Sequence, residues 1–278
     1  MLSKVVNLFK LKMIKKLISI SSTVALFSLA FPVGAVPALN LPDAASDNAA
    51  VRYLGEKVDP ATHELVQGYA IVHYRSANAS ARASKARAPK CYGFLANGAK
   101  WKSVEPWFVN PSNGRGLGGS YVLSNLASNV SKWEDATDGT LGNGGANVLG
   151  DGYFATGTLV ADTVSPDNLN EVYFANVADP GAIAVTIVWG IFSGPTFNRK
   201  LVEWDQVYDD FDYDWSASGE LGKMDFENIA THELGHSVGL ADLYNTCTEE
   251  TMYGYADYGE TKKRDLNSGD VQGMNAMY

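Results

Sequence analysis

The order of apolar and polar positions divides the chain into strand-like and helix-like stretches. Tyr69-Ala70-Ile71-Val72-His73-Tyr74 has the composition of a strand, and Trp107-Phe108-Val109 reads as a strand halted by Pro111. Apolar residues at Tyr121, Leu123, Leu126, Val130 and Trp133 recur at mostly helical spacing and predict a helix over 119–134. A loop rich in Gly, Asn and Asp follows at 137–152. Strands are predicted at 171–177, 182–191 and 201–208. A helix is predicted over 224–239 with Asp225 as its N-cap, and a last short helix over 269–278. Strands and helices mix without strict alternation. The expected class is α+β: a mixed, twisted sheet carrying one long helix, a helix near residue 230 and a C-terminal helix. No internal repeat is visible.

Upstream the pattern weakens. Residues 36–75 read as a small, weakly structured region. The Ala/Ser/basic run Ser76–Lys90 reads as an exposed linker within reach of a processing protease. The first 35 residues read as a signal peptide. A Lys-rich start precedes the apolar run Ile18–Phe31, which is broken only by Ser and Thr, and Val33-Gly34-Ala35 offers small residues for cleavage. The run is short for a membrane span, which needs about 20 apolar residues. The expected organisation is 1–35 signal, 36–90 N-terminal extension or pro-segment, and 91–278 the main domain. The protein is expected to be secreted, extracellular and monomeric, with no stable membrane span after signal removal.

Charge narrows the choice of partners. Five of the 22 basic residues and none of the 31 acidic ones fall in the first 35, leaving 17 against 31, a net charge of −14. Such a surface argues against nucleic acid and anionic lipid as partners. The chain has two cysteines, Cys91 and Cys247. In an exported protein an even count suggests a disulfide between them.

The chemistry concentrates in Thr231-His232-Glu233-Leu234-Gly235-His236-Ser237-Val238-Gly239-Leu240-Ala241-Asp242. Residues four apart share a helix face, so His232 and His236 can aim two imidazoles at one metal. Glu233 sits about 100° round the helix, within reach of a water beside that metal. Gly239 suits the left-handed turn that ends a helix, and the returning chain places Asp242 as a third ligand. Two His and a carboxylate with one open position is a hydrolytic zinc set, with Glu233 as general base.

These residues, H-E-x-x-H-x-x-G-x-x-D, with a later methionine at Met252 in Glu250-Thr251-Met252-Tyr253-Gly254-Tyr255, resemble the metzincin pattern. The likeness is greatest to matrixin-like proteases of microbial (archaeal or bacterial) type. It covers roughly 91–278 and includes Cys91-Tyr92-Gly93-Phe94, Lys100-Trp101, Val202–Tyr208 and the lead-in Ile229-Ala230-Thr231. The resemblance implies a metzincin-like catalytic domain with an active-site helix. It implies a secreted zinc endopeptidase acting on protein or peptide substrates, with Met252 in a turn beneath the metal. It also implies a substrate strand added to an edge strand, for which 182–190 is the candidate, and a pocket wall formed after Met252. Structural calcium is implied too. Most matrixins have a third His where this chain has Asp242, and Gly254 stands where other metzincins carry a metal-binding Tyr. The rival reading is an exported, non-catalytic, metal-stabilised binding protein, which would have no need of the base Glu233; a second is a zinc hydrolase of a non-peptide amide.

Other features admit two readings each. Pro89-Lys90-Cys91 is similar to the matrixin pro-segment motif whose thiolate plugs the zinc, so Cys91 is either that plug or the partner of Cys247. Tyr208–Trp215 carries Asp209, Asp210, Asp212 and Asp214 as a calcium site or as a solvated acidic loop. Gly114–Gly119 contains G-x-G-x-x-G and reads as a flexible loop rather than a nucleotide site. His63-Glu64 is incidental, and His73 reads as structural. Asn78 and Asn129 begin formal glycosylation motifs.

Overall fold

The computed structural model describes residues 38–42, 50–75, 90–244 and 246–278. The expected signal peptide, most of the linker and the Asn78 motif lie outside the described residues.

Three strands form the centre of the sheet: β5 (Asn170–Ala175), β6 (Ala182–Ile191) and β7 (Lys200–Asp209). The near-continuous apolar run of β6 suits a strand covered on both faces, and nearly every residue of all three strands is buried, including polar ones in β5 and β7. β7 pairs antiparallel with β6 and parallel with β5. Beyond β5 lie β3 (Trp107–Asn110) and β4 (Gly152–Phe154), both parallel. Beyond β6 lie β2 (Leu65–Arg75) and then β1 (Val51–Val58), both antiparallel to their neighbours. The order is β1-β2-β6-β7-β5-β3-β4, and β10 (Tyr255–Ala256) runs parallel to the end of β2. A two-residue pair, β8 (Trp215–Ser216) with β9 (Met224–Asp225), leads into the second helix.

Alternation along the strands splits the core. Ile71, Val172, Phe174, Val188, Trp204 and Tyr208 face the helices α1 (Gly119–Asp135) and α2 (Phe226–Ser237) with Leu126, Trp133, Phe226 and Leu234. Their neighbours Ala70, Val72, Tyr173, Val185, Ile187 and Val207 face the other way, with Leu39 and Leu159. The third helix, α3 (Ser268–Met277), closes the helical side. Two indoles anchor α2: Trp133 Nε1 donates to Thr231 O at 2.8 Å and Trp101 Nε1 to Ser237 O at 2.7 Å.

The α+β class and the three helices match the expectation from pattern. The helix expected over 224–239 is shorter, because Met224 and Asp225 pair in β9 and Asp225 caps Asn228 N at 3.0 Å. The expectation of a weakly structured 36–75 is wrong for its second half. Val51–Val58 and Leu65–Arg75 form a hairpin within the main sheet, and Val66, Ala70, Val72 and His73 are buried. The expected free edge at 182–190 is likewise corrected, since β2 covers it from Gln67↔Gly190 to Tyr74↔Ala182. Asn129 is buried in α1 with its amide on Asn125, out of reach of a glycosyltransferase. The acidic loop is engaged in holding chain together. Asp209 accepts from Val177, Phe211 and Asp212, and Arg115 binds Asp210 O, Phe211 O and Asp214. That contact also gives the Gly114–Gly119 loop a structural use.

Cys91 and Cys247 form a disulfide across 156 residues. It ties the entry of the main domain to the segment before Met252. A loop of this length stabilises the fold by about 5 kcal/mol on the chain-entropy model. A Cys91→Ser, Cys247→Ser double variant is therefore expected to unfold in urea at a midpoint lower by one to a few molar, since small domains lose about 1–3 kcal/mol per molar. An unchanged midpoint would show that the tie contributes nothing.

Candidate metal centre

α2 delivers both imidazoles from one face, and the turn after it brings back the acid. Gly239 has φ +103°, and the N–H groups of Gly239 and Leu240 bond to His236 O and Gly235 O at 2.9 Å each. A Cβ at Gly239 would sit 3.0 Å from Ala99 O and 2.9 Å from Met277 Sδ, so glycine is required for space as well as for backbone angle. The chain then returns to place Asp242 Oδ1 3.1 Å from His232 Nε2 and 3.4 Å from His236 Nε2.

Those distances test the fit of a metal. Tetrahedral bonds of about 2.0–2.1 Å separate neighbouring donor atoms by about 3.3 Å. Both imidazoles are fully buried and the Asp242 side chain is 5 % exposed. Among the described residues none bonds to His232 Nε2, His236 Nε2 or Asp242 Oδ1. Three converging, dry, orphaned donor atoms are costly without a shared cation. The residues fit a zinc ion.

The outer atoms of the same side chains are fixed. His232 Nδ1 donates to Thr251 O at 2.7 Å and His236 Nδ1 to Leu240 O at 2.9 Å, which turns each Nε2 lone pair inward. Tyr244 Oη donates to Asp242 Oδ2 at 2.9 Å, leaving Oδ1 for the centre. Burial opposes the charge on Asp242, but the two imidazoles outweigh it and hold its carboxyl well below the usual range. Met252 lies against the helix between the histidines: a Cβ at Gly235 would come 2.1 Å from its Sδ and 2.9 Å from Trp133. Asp270, at the start of α3, receives the N–H groups of Thr251 and Met252 at 2.8 and 3.2 Å and so holds the methionine turn. Tyr244 and Asp270 carried no sequence pattern that would have singled them out.

Glu233 is fully buried beside the centre, and burial lifts its carboxyl to about 7. Oε2 accepts from Thr186 at 2.6 Å. Oε1 lies 2.9 Å from Nδ1 of His73, whose ring stacks 3.9 Å from that of His232. His73 was expected to be a structural residue of a strand; it is on a strand, yet at the site. Its Nε2 lies 3.3 Å from the buried Lys263 Nζ, which donates to Tyr255 O at 2.6 Å. Burial draws the Lys263 ammonium down to about 8. His63 sits in the turn between β1 and β2, away from this group.

A second group of potential ligands lies on the opposite face. One oxygen each from Asp162, Asp167 and Glu203 lie within 4.8 Å of one another. Glu203 is fully buried, and neither its Oε1 nor Asp162 Oδ2 has a hydrogen-bond partner among the described residues. Burial, then the nearby Asp205, push the Glu203 carboxyl up to about 10. No lysine or arginine among the described residues pairs with these carboxylates.

Residues 197–278 match the family described as Matrixin. Over 76 residues the chain is 34% identical to metalloendoproteinase 2-MMP of Arabidopsis thaliana, an alignment covering 25% of this chain and 19% of the plant protein. The chain thus spans about a fifth of that relative's length. The matched part holds α2, Gly239, Asp242 and Met252, and the protein is matrixin-like there.

Purified chain is expected to bind one Zn2+ in competition with a chromophoric chelator. His236→Ala should weaken that binding at least about a hundredfold, and Tyr244→Phe about ten- to a hundredfold, the usual effect of losing a group that orients a ligand. Equal affinity in the parent and His236→Ala would place the ion elsewhere.

Proposed function

We propose that this matrixin-like chain is a secreted, zinc-dependent endopeptidase. The observation carrying the proposal is the trio of orphaned buried donor atoms with a buried carboxylate, Glu233, alongside. His232, His236 and Asp242 would hold the zinc, which when bound polarises a peptide carbonyl and acidifies a water. Glu233 takes a proton from the attacking water at a carboxylate oxygen. It then returns that proton to the leaving amine, a role suited to a carboxyl poised near neutrality. Thr186 fixes one Glu233 oxygen, so the other is the proton carrier. The charge of the nearby Lys263 favours the ionised form of Glu233, against the burial that disfavours it. β6 is flanked by β7 and β2, so a peptide would lie along it as an added strand only where β2 has left it.

Secretion agrees with the disulfide, and among the described residues no helix is long and apolar enough to cross a membrane. Residues 36–90 are proposed as a pro-segment and 91–278 as the catalytic domain, working as a monomer. Structural calcium is proposed at Asp162, Asp167 and Glu203 rather than at the acidic loop after β7. Calcium takes several oxygens, and two buried ones here have no other partner.

Glu233→Ala is expected to keep one zinc and a cooperative thermal transition while its kcat on a peptide library falls by at least about 100-fold, as for loss of a general base. Turnover equal to the parent's would remove Glu233 from the mechanism. Millimolar Ca2+ should raise the melting temperature of the parent by several degrees, and the gain should vanish in Asp162→Asn, Asp167→Asn. A gain that persists in that double variant would move calcium to another place.

A further inference from the structure

β2 lies in the cleft itself. Its backbone pairs antiparallel with β6 from Gln67 to Tyr74 and then parallel with β10, the segment just after Met252, through Tyr74↔Tyr255 and Arg75↔Ala256. One extended strand therefore fills the slot between the surface that would receive a peptide and the wall beyond the methionine turn. At the level of the metal ligands that strand presents His73, which is 1 % exposed. Its Nδ1 takes the Glu233 oxygen that Thr186 leaves free, and its ring covers His232. A water cannot meet Glu233 Oε1 while His73 is bonded there, and a peptide cannot pair with β6 while β2 does. The thiol of Cys91 is not available to block the site, since it is bonded to Cys247.

The hairpin is shaped for this slot. Gly68 lies against Trp189, where a Cβ would approach the indole to 2.6 Å, so the strand can lie flat along β6 only with glycine there. Its polar ties sit at the rim: Arg52 to Asp179 at 2.7 Å, Tyr74 Oη to Asp179 at 2.9 Å, and Lys200 to Glu64. The Lys200–Glu64 tie is partly exposed and contributes little. The contacts to be broken for β2 to leave are strand pairing, apolar burial, the mostly buried Arg52–Asp179 pair and the His73 cap.

We propose that Leu65–Arg75 is an internal inhibitor that occupies the peptide slot as a substrate-like strand, with His73 capping Glu233, and that hydrolysis requires β2 to leave. The proposal rests on the site being a peptide hydrolase. His73 is a blocking residue; it holds the base and takes no part in turnover.

The test compares the full chain with two variants, His73→Ala and Gly68→Val. Three quantities are read: hydrogen exchange along 65–75, bound zinc, and cleavage of a quenched-fluorescent peptide library. Both variants should keep one zinc, exchange faster in β2, and show kcat/KM at least about tenfold above the parent, which corresponds to a parent open less than about a tenth of the time. A synthetic peptide of the Leu65–Arg75 sequence should inhibit them competitively. Faster exchange in β2 with turnover equal to or below that of an active parent would overturn the proposal and make the hairpin part of the framework. If no form cleaves any peptide, the hydrolase reading fails on its own; binding of the labelled synthetic peptide to zinc-loaded Gly68→Val and not to the parent would still uphold the slot and its occupant, and binding to neither would sink that as well. Should Gly68→Val not fold, His73→Ala carries the same readings.

Discussion

Three lone-pair atoms facing one another in a dry interior are the constraint to which the neighbouring structure answers. A carboxylate oxygen 3.1 and 3.4 Å from two imidazole nitrogens, with no hydrogen bond to satisfy the three atoms, is costly without a shared cation. Their neighbours limit how they can turn away. Backbone carbonyls of Thr251 and Leu240 hold the rings and Tyr244 holds the acid. Thr251 is itself held by Asp270, which also opens α3. Helix, turn and C-terminal helix thus form one hydrogen-bonded unit around the centre, and the disulfide ties Cys91 to Cys247, just ahead of the methionine turn in the chain.

Glycine positions show how tightly that unit is packed. Gly235 faces Met252 and Trp133 at distances no side chain tolerates, so α2 can approach the methionine turn only with a bare backbone there. Helix interiors lose about 1 kcal/mol to a glycine. Here that loss is offset by the burial of a Trp and a Met against the helix, both at 1 % exposure or less.

What could be read from the sequence was local. The spacing of His232, Glu233, His236, Gly239 and Asp242 falls within eleven residues and follows from helix geometry and one turn. The strands β5, β6 and β7 were legible from their β-branched and aromatic residues, nearly continuous in β6 and interleaved with buried polar side chains in β5 and β7. Tyr244, Asp270, Thr186 and Lys263 were not, because each acts through individual hydrogen bonds, most of them to distant parts of the chain, and no periodicity marks such residues. The hairpin was half legible. Residues 69–74 had strand composition, but their partners in β6 lie far along the chain, from Tyr69↔Val188 to Tyr74↔Ala182. β1 is mostly exposed and broken by a bulge near Gly55, so its alternation is weak. The carboxylate cluster joins a loop to a strand, and each acid alone looks like an ordinary surface charge.

The position of β2 also answers a problem that the sheet sets for itself. β6 is apolar over nearly all of its ten residues and buried along them. Stripped of a neighbour, it would present a long hydrophobic edge, the kind that pairs with other chains and aggregates. A peptide hydrolase of this design needs that same edge, because strand addition to it is how a peptide would be held. Covering it with a strand from the same chain satisfies both demands: the edge is protected while the protein waits, and the covering strand matches the slot in form. The match extends to polarity, for His73 meets the polar floor at Glu233 while Ile71 turns toward the helices and Val72 toward the opposite face. An occupant chosen only to fill space would need no imidazole at that depth, and a fully buried His–Glu contact is a costly way to stabilise a sheet. The ring stands where it denies the base its water.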